Sequence, residues 1–123
     1  KKYVGYFIDT YLFYCIEKDA KSLNERIGDN KKIYCADVGI KNVTTGFRDL
    51  GAIFENLVFL KIRKNNPRYI KQEGIELDFV FKDYLIEAKY KGSILTKKQK
   101  ELFSKIKIKN KQIVSGLDYF FPS

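Results

Sequence analysis

Residues 75–90 read IELDFVFKDYLIEAKY, two runs of alternating character with Lys82 and Asp83 between them. Successive side chains of a strand point to opposite faces. Ile75, Leu77, Phe79 and Phe81 are therefore expected on one side of the first run, with Glu76, Asp78 and Val80 on the other. In the second run Leu85, Glu87 and Lys89 share one face, opposite Tyr84, Ile86, Ala88 and Tyr90. A hairpin with Lys82-Asp83 as its loop pairs Phe81 with Tyr84, and a loop over 81–84 keeps the same register. That register sets Asp78 directly opposite Glu87 and Glu76 opposite Lys89. Lys-Asp is a poor match to the Gly/Asn preference of tight hairpin turns, so the pattern of the runs carries this expectation.

Two facing carboxylates with Cβ atoms about 5 Å apart repel each other. A divalent cation relieves that repulsion, because Mg²⁺ takes oxygen ligands from one or two carboxylates and fills its shell with water and phosphate oxygens. Lys89, two residues after Glu87 on the same face, is placed to orient a water or balance phosphate charge. Metal-assisted phosphodiester hydrolysis needs this set: a metal to lower the water's pKa and a cation beside it. Asp78 and Glu87 are thus candidate ligands for Mg²⁺ or Mn²⁺, and Lys89 the candidate partner. The alternative is a solvated sheet face on which Asp78 and Glu87 each pair with a separate lysine. Glu76 opposite Lys89 reads as a cross-strand ion pair rather than a ligand.

Upstream, the run 50–64 is a good helix former that Asp49 can cap or charge at its start, and it stops at Asn65-Asn66-Pro67. It is apolar nearly all round, as a largely buried helix is, and Glu55 sits inside it. A carboxylate so placed needs a partner, which makes Glu55 a further candidate for the site. A strand over 68–72 precedes the hairpin, whose strands run over 75–81 and 84–90. Downstream, Thr96-Lys97-Lys98-Gln99 matches a capping box, opening a helix over 97–107 with Leu102, Phe103 and Ile106 as its core stripe. A last strand is expected over 112–115. Before the first helix, strands over 11–17 and 32–38 flank a polar loop and make a small hairpin. The order helix, three-stranded antiparallel meander, helix, strand is an α/β layer arrangement.

The chain has 123 residues, 45% apolar and 15% aromatic, enough for one packed core. It has no histidine, which excludes imidazole-based acid/base chemistry, the familiar triads and imidazole zinc sites. No apolar run approaches the length of about 18 residues that crosses a bilayer, and the residues show no signal-peptide pattern, so no membrane partner is expected. Cys15 and Cys35 read as reduced core residues of an intracellular, cytoplasmic protein. The absence of any methionine, even at position 1, suggests a piece of a longer or processed chain. The net charge of +9 favours an anionic partner such as nucleic acid, or reflects a lysine-rich composition alone. Lys91, Lys97, Lys98 and Lys100 are the candidate phosphate contacts, with Lys105, Lys107, Lys109 and Lys111 beyond them. Such a face gives salt-dependent binding without sequence readout; a merely solubilising face is the alternative.

Glu55 in GAIFENLVF, Asp78 in IELDFVF and Glu87-Ala88-Lys89, in this order on helix, second strand and third strand, resemble the PD-(D/E)XK nucleases. The resemblance spans about 49–115, with Leu77 standing where the family's name has proline. More narrowly, the chain resembles the C-terminal domain that follows an AAA-type ATPase module in many archaeal and bacterial proteins. KKIYCADVGI, with Asp37 and Gly39, is similar to that family's Asp-x-Gly segment ahead of the Glu55-Asn56-Leu57-Val58 helix. By residue type Asp37 and Gly39 suit a turn. The aromatic N-terminal stretch resembles the tail of a winged-helix linker. The resemblance implies a restriction-endonuclease-like core over 46–123, preceded by a hairpin and linker region over 1–45. It implies a magnesium-dependent, nuclease-like site of Asp78, Glu87, Lys89 and Glu55 acting on DNA. It also implies an ATPase module upstream in the same polypeptide, where ATP binds, since no phosphate-cradling G-x-x-x-x-G-K-[ST] occurs in this chain. A module that only binds DNA or docks a protein under ATPase control, with Glu87 and Lys89 as a neutralised ion pair, is the second reading.

Overall fold

A computed structural model of the chain describes residues 13–20, 30–37 and 49–120. Strands β1 (Phe13–Ile16) and β2 (Lys32–Cys35) are followed by helix α1 (Leu50–Ile62). Then come strands β3 (Arg68–Gln72), β4 (Ile75–Phe81) and β5 (Tyr84–Ala88), helix α2 (Lys97–Lys105) and strand β6 (Asn110–Val114). The architecture is mixed α/β, a two-stranded hairpin sheet ahead of a four-stranded sheet in the order β3-β4-β5-β6. Strands β3, β4 and β5 form the antiparallel meander, and β6 lies parallel to β5. No helix among the described residues is long and apolar enough to cross a membrane.

Helix α1 starts where the Asp49 carboxylate accepts the Ala52 amide at 2.9 Å, satisfying one of the helix's free donors. A 3₁₀ turn, Arg63–Asn65, tightens its end, and Asn66 takes a left-handed φ of 52° before Pro67. At α2 the capping box forms as expected, with Gln99 N–H donating to Thr96 Oγ1 at 3.1 Å and Thr96 N–H to Gln99 Oε1 at 3.0 Å. The helix ends at Lys105, earlier than 107, because Ile106 is already extended. β6 starts at Asn110, before 112, since Asn110 and Lys111 pair with Tyr84 and Leu85.

The sheet separates two cores. On the α1 side Phe54, Val58, Phe59 and Ile62 pack on Tyr69, Phe79, Ile86, Ala88 and Val114, joined by Ile16 and Tyr34 from the hairpin. On the α2 side Ile70, Leu77, Val80, Leu85 and Leu102 make the second cluster. β1 also runs on into the large sheet: Tyr69 N–H donates to the Glu17 carbonyl at 3.1 Å, and Asp19 N–H to the Tyr69 carbonyl at 2.7 Å. The hairpin strands are shorter than expected, and Tyr11 and Val38 lie outside the described residues, as does Gly39. Neither cysteine is a core residue: Cys15 is exposed and Cys35 half-buried. Strand alternation turns Ile16 inward and so turns Cys15 out.

One expectation about faces is corrected. Leu77 and Phe79 lie on opposite sides of the sheet, in different cores. The register against β3 shifts between Ile70↔Leu77 and Arg68↔Val80, so Asp78 and Phe79 together oppose Tyr69. This is a β-bulge, which re-aims a side chain by inserting one residue. The bulge turns Asp78 toward the α1 side of the sheet.

Candidate carboxylate site

β4 and β5 pair as Phe81↔Tyr84, Val80↔Leu85 and Phe79↔Ile86, the register the sequence suggests, and their ladder ends there. Beyond it the two acids replace backbone carbonyls as acceptors. The Asp78 amide donates to Glu87 Oε1 at 3.0 Å, and the Ala88 amide donates to Asp78 Oδ2 at 2.8 Å. The strands thus part with a carboxylate from each filling the gap. Both acids are buried, Glu87 to 1% and Asp78 to 9% residual exposure. Glu87 Oε2 has no hydrogen-bond partner among the described residues. A buried, unpartnered carboxylate oxygen is costly, and a shared proton or a cation is what satisfies it.

Two further side chains approach from the α1 side; both reach Glu55, and one of them reaches Asp78. Lys32, on β2, places its Nζ 3.1 Å from Glu55 Oε2 and 3.7 Å from Asp78 Oδ1. Tyr34, two residues along β2, donates its hydroxyl to the same Glu55 Oε2 at 2.6 Å. The hairpin is held over α1 by Asn56, which is fully buried. Its Oδ1 accepts the Cys35 amide at 2.9 Å and its Nδ2 donates to the Cys35 carbonyl at 3.0 Å. The Asn56 side chain therefore completes the free edge of β2 as a peptide group would.

Charge states follow from this packing. Burial first, then the hydrogen-bonding carboxyl and charge of Glu87, push Asp78 up to about 7, against the opposing pull of Lys32 and the Ala88 amide. Burial works to lower Lys32, but the charges of Glu55 and Asp78 outweigh it and raise Lys32 above its ordinary value. Burial, with the charge and hydrogen bond of Glu55, drives the Tyr34 hydroxyl far above its ordinary range, so it stays a donor.

Of the sequence candidates, Asp78 and Glu87 come together, Glu87 accepting the Asp78 amide and Asp78 the Ala88 amide, and Lys32 links Asp78 to Glu55. Lys89 does not join them. It follows the end of β5, donates its amide to the Val114 carbonyl at 2.8 Å, and is half-buried. Lys89 makes no ion pair with Glu87 or Glu76 among the described residues. Glu76 opposes Lys71 of β3, because β4 has already left β5 at that level. Lys91, Lys97, Lys98 and Lys100 are exposed. The Gln99 side chain donates to the Glu76 carbonyl at 3.4 Å, which sets the first turn of α2 beside β4 two residues before Asp78.

Lys32, Tyr34 and Asn56 are the site residues sequence reasoning missed. The available signal was strand alternation in KIYC: a Tyr34 turned inward carries Lys32 inward with it. As hard oxygen donors, Asp78, Glu87 and Glu55 fit Mg²⁺ or Mn²⁺, and the orphaned Glu87 oxygen fits a cation. Among the described residues, however, no three acidic side chains lie at ligand spacing; Lys32 stands between Glu55 and Asp78.

Among known proteins, the chain is similar to the uncharacterized protein MJ1544 of Methanocaldococcus jannaschii. The two are 33% identical over an 85-residue alignment that covers 63% of this chain and 19% of that protein. The chain thus spans about a fifth of the length of the curated relative it matches. No protein-family profile and no solved structure matches it.

Proposed function

We propose that this chain is a nuclease-like domain of the PD-(D/E)XK type, with a restriction-endonuclease-like core, acting on DNA phosphodiesters with Mg²⁺ or Mn²⁺. The observation that carries the proposal is the parted β4–β5 hairpin, which buries Asp78 and Glu87 together and leaves a Glu87 oxygen unsatisfied. A buried pair of this kind serves no packing purpose that apolar side chains would not serve better. Asp78 and Glu87 would hold the metal and Glu55 would add a third carboxylate, while Lys89, which makes no ion pair with them among the described residues, would serve the substrate phosphate or its attacking water. When bound, the metal lowers the water's pKa and screens the developing charge. The exposed Lys91, Lys97, Lys98 and Lys100 carry the DNA backbone past the parted strands. The chain belongs to a longer, cytoplasmic polypeptide with an AAA-type ATPase upstream; a relative in which the matched part is 19% of the length is consistent with that.

The test is cleavage of plasmid and single-stranded DNA with Mn²⁺ or Mg²⁺. Activity is expected in the wild type and in Lys64→Ala, and is lost in Asp78→Ala and Lys89→Ala. Cleavage that survives Asp78→Ala overturns the assignment. A second reading, a non-catalytic DNA-binding or docking module under ATPase control, is favoured by Lys89 standing apart from the carboxylates. Salt-dependent DNA binding without cleavage under either metal selects it.

A further inference from the structure

Lys32 belongs to the β1–β2 hairpin, not to the strands that supply Asp78 and Glu87, yet its ammonium lies in the middle of the acids. It is 3.1 Å from Glu55 and 3.7 Å from Asp78, with its side chain 22% exposed. The Tyr34 and Tyr69 rings flank it, their centroids 5.8 and 5.7 Å from Nζ. Two carboxylates and two aromatic faces make a cation cradle, since ring faces attract positive charge. Asn56 fixes the height of β2 over α1, and with it the reach of Lys32. A divalent ion taking Glu55 and Asp78 as ligands would need the same carboxylate oxygens. Positive charges that close repel strongly in a partly buried site.

We infer that Lys32 is the built-in counter-ion of the carboxylate site, and that it competes with a divalent cation for Glu55 and Asp78. This inference rests on the metal-site reading above. Lys32 neutralises the acids while no metal is bound. With a divalent cation on those oxygens, its ammonium, a compact charge on a flexible four-carbon stem, would be free to meet a phosphate.

The experiment is titration calorimetry with Mn²⁺ on the full chain, comparing wild type, Lys32→Met and Lys64→Met. Loss of the competing charge in Lys32→Met is expected to tighten Mn²⁺ binding by about tenfold, while Lys64→Met matches the wild type. Binding by Lys32→Met alone also supports the inference. Equal or weaker binding by Lys32→Met overturns the competition but leaves the metal site standing. No Mn²⁺ binding by either chain overturns both. A measurement on the wild type covers a variant that does not fold: acylation of lysine amines, followed residue by residue by mass spectrometry. Lys32 is expected to react slowly without metal and severalfold faster under saturating Mg²⁺. A Lys32 reactivity that Mg²⁺ leaves unchanged sinks the inference.

Discussion

Asp78 is held up to about 7 by burial and by Glu87, although Lys32 and the Ala88 amide oppose the shift. The folded chain therefore binds this proton more tightly than the unfolded chain, whose aspartate titrates near 4. Without metal, that contribution to stability is complete below about pH 4 and disappears as pH rises through 7, on the order of 4 kcal/mol in all. Urea unfolding at pH 5 and pH 8 is expected to show the fall, and Asp78→Asn, an isostere of the neutral acid, to flatten it. A wild-type chain equally stable at both pH values would show that Asp78 is ionised throughout. Asn56 offers a second residue-scale outcome. Truncation to alanine strands the Cys35 amide and carbonyl and opens a cavity, which should cost about 2–4 kcal/mol. The register that brings Asp78 beside Glu87 was legible because a loop of fixed length sets it, although the ladder itself ends at Phe79↔Ile86, short of the two acids. Lys32 was not, because a lysine on a strand ordinarily faces solvent, and only the tertiary seat of Tyr34 draws it inward.

At the scale of elements, the helices, the meander and the final strand all follow from local chemistry: Asp49 and the Thr96-Gln99 box as caps, Pro67 as a stop, alternating runs as strands. The β-bulge left no trace in the sequence. Its cause is the register against β3, a non-local pairing that Asp78 and Phe79 share with Tyr69. It is also what delivers Asp78 to the α1 side, so the local pattern named the right residue and misplaced its face. The turn that fixes the β4–β5 register is poorly made: Lys82 holds a φ of 48°, a left-handed conformation costly for a residue with a Cβ. Asn tolerates that region better, so Lys82→Asn should stabilise the fold by about 0.5 kcal/mol in denaturant unfolding without moving the strand register. The neighbouring hairpin gives the reverse case. Gly74 sits at φ 81° with nothing within 4 Å of where a Cβ would stand, so Gly74→Ala should cost about 1 kcal/mol through backbone strain alone.

Across the whole molecule, the net charge of +9 contrasts with a cluster of acids buried at the parted strands. Those acids would repel a nucleic acid backbone unless a cation covered them and lysines outside drew the phosphates in. α2 supplies such lysines on an exposed face, and Gln99 moors its first turn to β4 beside Asp78. If that face tracks DNA, each phosphate contact contributes about 0.9 to the slope of log affinity against log salt on duplex DNA. Replacing Lys97, Lys98 and Lys100 together with glutamine should then lower the slope by about 2–3 and weaken binding alike for all sequences. The capping box uses Thr96 and Gln99, neither of which changes, so the melting temperature should stay within about a degree of wild type. A triple variant that keeps the wild-type slope would place the anion-binding face elsewhere and reduce these lysines to a solvated surface. A lost slope with intact folding would tie the basic helix to the carboxylate pair as two parts of one nucleic-acid path.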